Sequence, residues 1–243
     1  MKREILVLGP DREADYLESY AGAVRKSGGE PMRAWPEPRI SGDETALRVF
    51  LEGFGGVLLP GGVDIEPWRY GENPHPAAAK TDRELDEVQI AAALVLLRIE
   101  IPTLAICRGM QIAAVAAGGT LIQDLPSLRP SAVRHEVRER KDQIAHAVAL
   151  EPGSRVAGLS RAPEIDVNSR HHQAVREGEY RGKFGPFVIT GRAPDGVLEA
   201  MEIPGHPFFV AVQWHPENLA VSGRAESLSL FRGFVRAARE RRQ

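Results

Sequence analysis

The chain is 243 residues long and sets 31 Lys plus Arg against 33 Asp plus Glu. That near balance leaves no basic field to hold nucleic acid or an anionic membrane, so neither is expected as a partner. The single cysteine excludes an intramolecular disulfide and a cysteine-based zinc cluster, and a chain of this size buries a sufficient core without either.

Taken in order, the chain starts Met1-Lys2-Arg3-Glu4, and the apolar run Ile5 to Leu8 is too short for a secretory signal. The longest apolar runs, Ile90 to Leu97 and Ile112 to Ile122, fall short of the roughly 20 residues that span a bilayer. These features predict a cytoplasmic chain with no transmembrane segment. Ile5 to Leu8 reads as a first strand, and Leu17, Tyr20, Ala21 and Val24 recur at helical spacing until Gly28-Gly29 stops them. Val57 to Leu59 is a short buried-type strand that ends at Pro60-Gly61-Gly62. From there to Thr81 no period is visible, and so long a loop is usually functional or disordered. Thr81 with Glu84 forms a capping box for a helix whose buried face is Leu85, Val88, Ala92 and Val95.

Pro102 to Ile106 is the next strand, Cys107-Arg108-Gly109 follows it, and the helical run Met110 to Ala117 ends at Gly118-Gly119. Farther on the pattern turns β-like at Ala147 to Leu150, Phe187 to Thr190, Val197 to Ile203 and Phe208 to Trp214. Pro204-Gly205-His206-Pro207 reads as the hairpin turn joining the last two. A final helix over Ala225 to Arg239 buries Leu228, Phe231, Phe234 and Val235, and the basic tail Arg236 to Arg242 reads as a solvated helix end. This order predicts a mostly parallel sheet with helices on both faces and antiparallel strands added in the C-terminal half. No linker or repeat divides the chain, so residues 1–243 read as a single domain.

Cys107 lies where a strand passes into a helix. Small residues at Ala105 and Gly109 permit a sharp turn that presents a nucleophile, and the helix N-terminus favours the thiolate. On its own the cysteine reads more readily as small buried filler, and a partner is needed to overturn that reading. A partner is supplied by His215, which ends the apolar strand Phe209 to Trp214. Glu217, two positions on across Pro216, points to the same side of an extended segment and fixes the imidazole tautomer. For the oxyanion, Gly61-Gly62 can turn main-chain N–H groups to the site, and the Arg108 N–H follows the nucleophile directly. Asn168-Ser169-Arg170-His171-His172-Gln173 is a polar stretch suited to a substrate wall. Its adjacent histidines point to opposite faces, so no metal site is read there. No phosphate-binding or dinucleotide fingerprint is present and no cofactor is expected.

Four segments together resemble the class I glutamine amidotransferase-like superfamily, and within it the γ-glutamyl-γ-aminobutyrate hydrolase branch grouped with the γ-glutamyl peptidases. They are Leu59-Pro60-Gly61-Gly62-Val63-Asp64-Ile65-Glu66-Pro67 with Tyr70-Gly71-Glu72, Ala105-Ile106-Cys107-Arg108-Gly109-Met110-Gln111, Asn168 to Gln173, and Gln213-Trp214-His215-Pro216-Glu217. The resemblance implies a flavodoxin-like α/β sandwich with Cys107, His215 and Glu217 as a catalytic triad. It also implies Gly62 and Arg108 as main-chain oxyanion donors, with Gly61, Gln111, His171, His172 and Gln173 along a γ-glutamyl pocket. Ala105 departs from the glycine usual in the wider superfamily, which favours the hydrolase branch.

The expected activity is cleavage of a small γ-glutamyl amide through a thioester on Cys107. A glutaminase subunit feeding ammonia to a separate synthetase is the competing reading, and a catalytically silent binding protein on the same fold is a third. The sequence leaves the leaving amine and the oligomeric state open, a homo-oligomer included.

Overall fold

The computed structural model describes residues 4–177 and 187–241, so Met1 to Arg3 and Arg242, which entered the readings above, lie outside the described residues. The first half alternates as its apolar runs predict: β1 (Glu4–Leu8), α1 (Ala14–Lys26), β2 (Glu30–Ala34), α2 (Pro38–Ser41), α3 (Glu44–Glu52), β3 (Gly56–Leu59), α4 (Arg83–Leu96), β4 (Thr103–Ile106), α5 (Arg108–Ala116), β5 (Leu121–Ile122) and α6 (Leu125–Leu128). The second half is richer in strands: β6 (His146–Leu150), α7 (Arg155–Ser160), β7 (Glu164–Val167), β8 (Ala174–Val175), β9 (Val188–Arg192), β10 (Leu198–Glu202) and β11 (Phe209–Val212), closed by α8 (Pro216–Ser222) and α9 (Ala225–Glu240).

Nine strands form one sheet in the order β2-β1-β3-β4-β11-β10-β9-β6-β7. The first five run parallel. From β11 outward every pairing is antiparallel. β5 and β8 pair separately. The architecture is the expected flavodoxin-like sandwich with antiparallel strands added at one side.

Strand side chains alternate between faces, and the two faces carry two cores. Ile5, Val7, Leu58, Leu104, Ile106, Val210 and Val212 join α1 and α9 through Leu17, Val24, Phe231 and Phe234. Leu6, Leu8, Val57, Leu59, Ala105, Phe209 and Ala211 join α3, α4 and α5 through Leu47, Leu51, Ala92 and Met110. A strand covered on both sides has no polar face to spare, which is why these segments read as unbroken apolar runs.

Several expectations change in detail. The N-cap of α4 is Asp82, whose carboxylate accepts from Leu85 N at 3.1 Å, rather than Thr81. Glu84, the supposed box partner, instead accepts from Arg12 and from Trp35 Nε1. The stretch between β3 and α4 is ordered by its own contacts. Pro67–Tyr70 makes a short 3-10 turn, Asp64 bridges to Thr81, and the Arg69 guanidinium lies 3.9 Å from the Trp68 ring centre while pairing with Glu66 and Glu87. The basic end of α9 is tied back to the body: Arg239 donates to Gly28 O, and Arg241 donates to Glu52 O and Phe54 O. No helix among the described residues is long and apolar enough to cross a membrane.

Candidate active site

Three neighbouring parallel strands deliver the site from their carboxyl ends, where ligands bind in open α/β sheets. β4 is flanked by β3 and β11, so the chain leaving β4 at Cys107 emerges between Gly61-Gly62 and the His215 segment. Cys107 N donates to Val212 O at 2.7 Å, pinning the turn to β11. The cysteine has φ 52° and ψ −107°, a conformation that side-chain-bearing residues rarely adopt and that costs about 1–3 kcal/mol. Gly109 makes the turn sterically feasible, since a Cβ there would stand 2.3 Å from Leu59 O. The thiol thus heads α5 at the positive end of its dipole.

His215 Nδ1 donates to Glu217 Oε1 at 2.8 Å. The pair forms as expected, but for a different reason: Pro216 is the first residue of α8 rather than part of an extended segment, and Glu217 sits in that helix's first turn. With Nδ1–H committed to the carboxylate, Nε2 remains for the sulfur, and Cys107 and His215 line the same cavity. Burial works to lower the His215 pKa, but the Glu217 carboxylate and the Cys107 sulfur outweigh it and push the imidazole up to about 10. Cys107, His215 and Glu217 are 6%, 6% and 1% exposed, so they work in a nearly dry setting.

Two groups read from the sequence as substrate wall and helix core, Asn168 and Tyr20, hold this arrangement. Asn168 clamps the main chain of His215, accepting from its N–H at 3.1 Å and donating to its carbonyl at 2.9 Å. Tyr20 Oη accepts from Gly61 N at 3.1 Å and shares a hydrogen bond of 3.0 Å with Tyr16 Oη. A Cβ at Gly61 would come within 3.0 Å of the His215 ring, so glycine lets the loop after β3 lie against the imidazole. Burial, with the Cys107 sulfur and the Glu217 carboxylate nearby, keeps the Tyr16 phenol protonated well beyond its ordinary range.

Arg108 was singled out for its main-chain N–H, yet its side chain is wholly buried. It is bonded to the Asp86 carboxylate and to Gln89 Oε1, while Asp86 Oδ2 accepts from Glu66 N at 2.9 Å and Gln89 Nε2 donates to Leu8 O at 3.1 Å. Burial opposes both charges of the Arg108–Asp86 pair, and only their contact offsets it. The network joins α4, α5 and the loop after β3 directly behind the cysteine.

A cavity of about 270 Å³ opens onto Cys107 and His215, with Tyr16, Gly62, Lys141 and Arg170 in its walls. Lys141 and Arg170 place positive charge in its walls, and Glu217 a carboxylate beside His215. Gln111, His171, His172 and Gln173 are not among its lining residues. Gln111 Nε2 instead donates to Gln173 O and Gln213 Oε1, and Gln173 Nε2 donates to Gln123 O. The two adjacent histidines do face opposite ways. His172 bridges Asp64 and Asp124, and its bond to the Asp64 carboxylate, against burial, pushes it up to about 9; His171 turns inward toward Glu199.

This fold is that of the class I glutamine amidotransferases. The chain superimposes on a Thermotoga maritima glutamine amidotransferase with a TM-score of 0.60 at 13% identity, covering 99% of this chain and all of that one. On the glutaminase domain of Trypanosoma brucei CTPS with bound acivicin the TM-score is 0.71 at 18% identity, covering 99% and 95%. The chain belongs to the peptidase C26 family, whose model matches residues 8–217, and is a hydrolase. A γ-glutamyl-γ-aminobutyrate hydrolase of Escherichia coli K12 is 34% identical over 229 residues, covering 90% of this chain and 85% of that protein. A putative glutamine amidotransferase of Mycobacterium tuberculosis is 33% identical over 232 residues, covering 94% and 69%.

Proposed function

We propose that the chain hydrolyses the γ-glutamyl amide bond of a small γ-glutamyl compound, with Cys107, His215 and Glu217 as its catalytic triad. The observation that carries this reading is the convergence of Cys107, His215 and Glu217 on one cavity above the parallel strand ends, with the imidazole held by the Glu217 carboxylate at 2.8 Å. The likeness to γ-glutamyl-γ-aminobutyrate hydrolases supports the substrate class.

In this mechanism the Cys107 thiolate attacks the γ-carbonyl carbon. The resulting oxyanion is held by the N–H groups of Gly62, which lines the cavity, and of Arg108, a first-turn helical residue whose N–H has no partner one turn back. The intermediate collapses to a γ-glutamyl thioester as the C–N bond breaks and the departing amine takes a proton from His215. Water then gives a proton to the same imidazole and attacks the thioester, and glutamate leaves with regeneration of Cys107. Glu217 holds the ring in the tautomer that faces sulfur, and Lys141 and Arg170 attract the carboxylate of the substrate. Gly61 serves by letting the loop close on His215. Gln111, His171, His172 and Gln173 are left as the polar surround of this pocket rather than its direct walls.

The test is amine release from a panel of γ-glutamyl amides, wild type against Cys107→Ala, with mass spectrometry for the thioester. Release by wild type with none by the variant is expected. Equal release by both ends the proposal. Glutamine hydrolysis that rises only when a synthetase is added would assign the chain to ammonia delivery instead, a reading favoured by the amidotransferase likeness.

A further inference from the structure

We propose that His135, His146, His171 and Glu199 form a binding site for one divalent transition-metal ion, matched best by Zn²⁺. The four residues come from separate parts of the antiparallel half. His146 opens β6, Glu199 lies in β10, His135 precedes β6, and His171 follows β7. One atom from each of His135, His146 and Glu199 lies within 4.8 Å of the others. From Glu199 Oε1 the distances are 3.2 Å to His146 Nε2, 3.4 Å to His135 Nδ1 and 3.5 Å to His171 Nε2. Ligands at 2.0–2.1 Å around tetrahedral zinc are separated by about 3.3 Å.

The outer nitrogens decide what the inner ones offer. His135 Nε2 faces Asp195 Oδ2 at 3.1 Å, His146 Nδ1 faces Arg134 O at 3.2 Å, and His171 Nδ1 faces Gln173 O at 2.8 Å. Carbonyl and carboxylate oxygens only accept, so each outer nitrogen can carry the hydrogen; the inner nitrogens of His135 and His171 then turn lone pairs toward Glu199, while His146 Nε2 lies within hydrogen-bonding distance of Glu199 Oε1. This is the arrangement in which metal-bound histidines are held by their outer partners. His135 Nδ1, His171 Nε2 and Glu199 Oε2 are all buried without a hydrogen bond. Protonating both orphaned nitrogens instead would set the imidazolium rings of His135 and His171 side by side, with centres 5.1 Å apart. One divalent ion satisfies the inner nitrogens and the carboxylate at once, and Glu199 with Asp195 balances its charge.

Two further features point the same way. The β9–β10 register shifts between Leu198 and Ala200, so Glu199 is the bulged residue, a device that re-aims a side chain. A cavity of about 180 Å³ beside α6, walled by Leu125, Pro130 and Val133, reaches His135 and His171 and provides a way in. With four protein ligands the site is closed, hence structural rather than hydrolytic. It would tie together segments that hold the proposed catalytic histidine: Glu199 O accepts from Gln213 N, two residues before His215, and Ser169, beside the clamp Asn168, donates to His135 O.

The test loads the full chain with Zn²⁺, removes free ion by gel filtration, and measures bound metal by mass spectrometry. Wild type and Cys107→Ser should each retain about one ion per chain, and Glu199→Gln and His146→Ala almost none. Because those variants can lose fold together with metal, Co²⁺-loaded wild type is read by visible absorption. Tetrahedral d–d bands without a thiolate charge-transfer band support the proposal. Failure of wild type to retain an ion, retention by Glu199→Gln, loss in Cys107→Ser, or a thiolate band overturns it. None of these readouts depends on amide hydrolysis, so the site stands or falls apart from the proposed function.

Discussion

The parallel strands β2-β1-β3-β4-β11 and the antiparallel strands β10-β9-β6-β7 belong to one sheet but handle polar groups in opposite ways. In the parallel half the inner strands β1, β3, β4 and β11 are almost wholly apolar, and the proposed catalytic side chains stand beyond their carboxyl ends, on the turns that follow β4 and β11. In the antiparallel half, charged and titratable groups lie within the strands, with Glu199 in β10 wholly buried among three histidines. One half presents chemistry at an edge that ligands can reach. The other encloses it, and its polar cluster is joined by hydrogen bonds to the segments that carry Gln213 and Asn168.

That contrast is sharpest at Cys107, the proposed nucleophile. Cys107→Ala should lower amide hydrolysis by about 10⁴-fold or more while leaving the far-UV circular dichroism unchanged. Glu217→Gln should lower kcat by about 10²- to 10⁴-fold. Since Glu217 helps raise the His215 pKa to about 10, the alkaline limb of the rate profile should also move down toward the ordinary imidazole value. The raised His215 pKa contributes stability that is complete below the unfolded imidazole pKa of about 6.5 and is lost as pH rises through about 10, and thermal unfolding across that window should show the loss occurring earlier in Glu217→Gln.

Behind the edge, Asp86→Ala strands a fully buried Arg108 and should cost about 3–5 kcal/mol in urea unfolding, with activity falling as the turn loosens. Smallest is Asp82→Ala, which removes the α4 cap and should cost about 1 kcal/mol with little change in kcat. A larger effect on kcat from Asp82→Ala than from Asp86→Ala would break the division between edge and support.

The legibility of the sequence follows the same division. β1, β3, β4 and β11 are covered on both faces and read directly as apolar runs, and the order of four short motifs placed Cys107, His215 and Glu217 together. β2, Glu-Pro-Met-Arg-Ala, is an edge strand with one neighbour and a largely exposed surface, so no pattern marked it. Pro216 suits the first turn of a helix as well as an extended chain, which hid α8. Asp86 and Gln89 lie on the buried face of α4, but an apolar-spacing argument sees only the leucines, valines and alanines around them. The histidines about Glu199 are scattered over separate strands and loops with no local spacing to connect them, so only the register of the sheet brings them into view.

The backbone at Cys107 carries a last consequence. Its φ of 52° and ψ of −107° suit a residue without a β-carbon, so at this position the demands of folding and of reactivity select different amino acids. Of two equally inactive replacements, Cys107→Gly should prove more resistant to denaturant than Cys107→Ala by about 1 kcal/mol, the reverse of the order that these residues follow inside a helix. The enzyme keeps a thiol where its own chain would settle more easily around nothing.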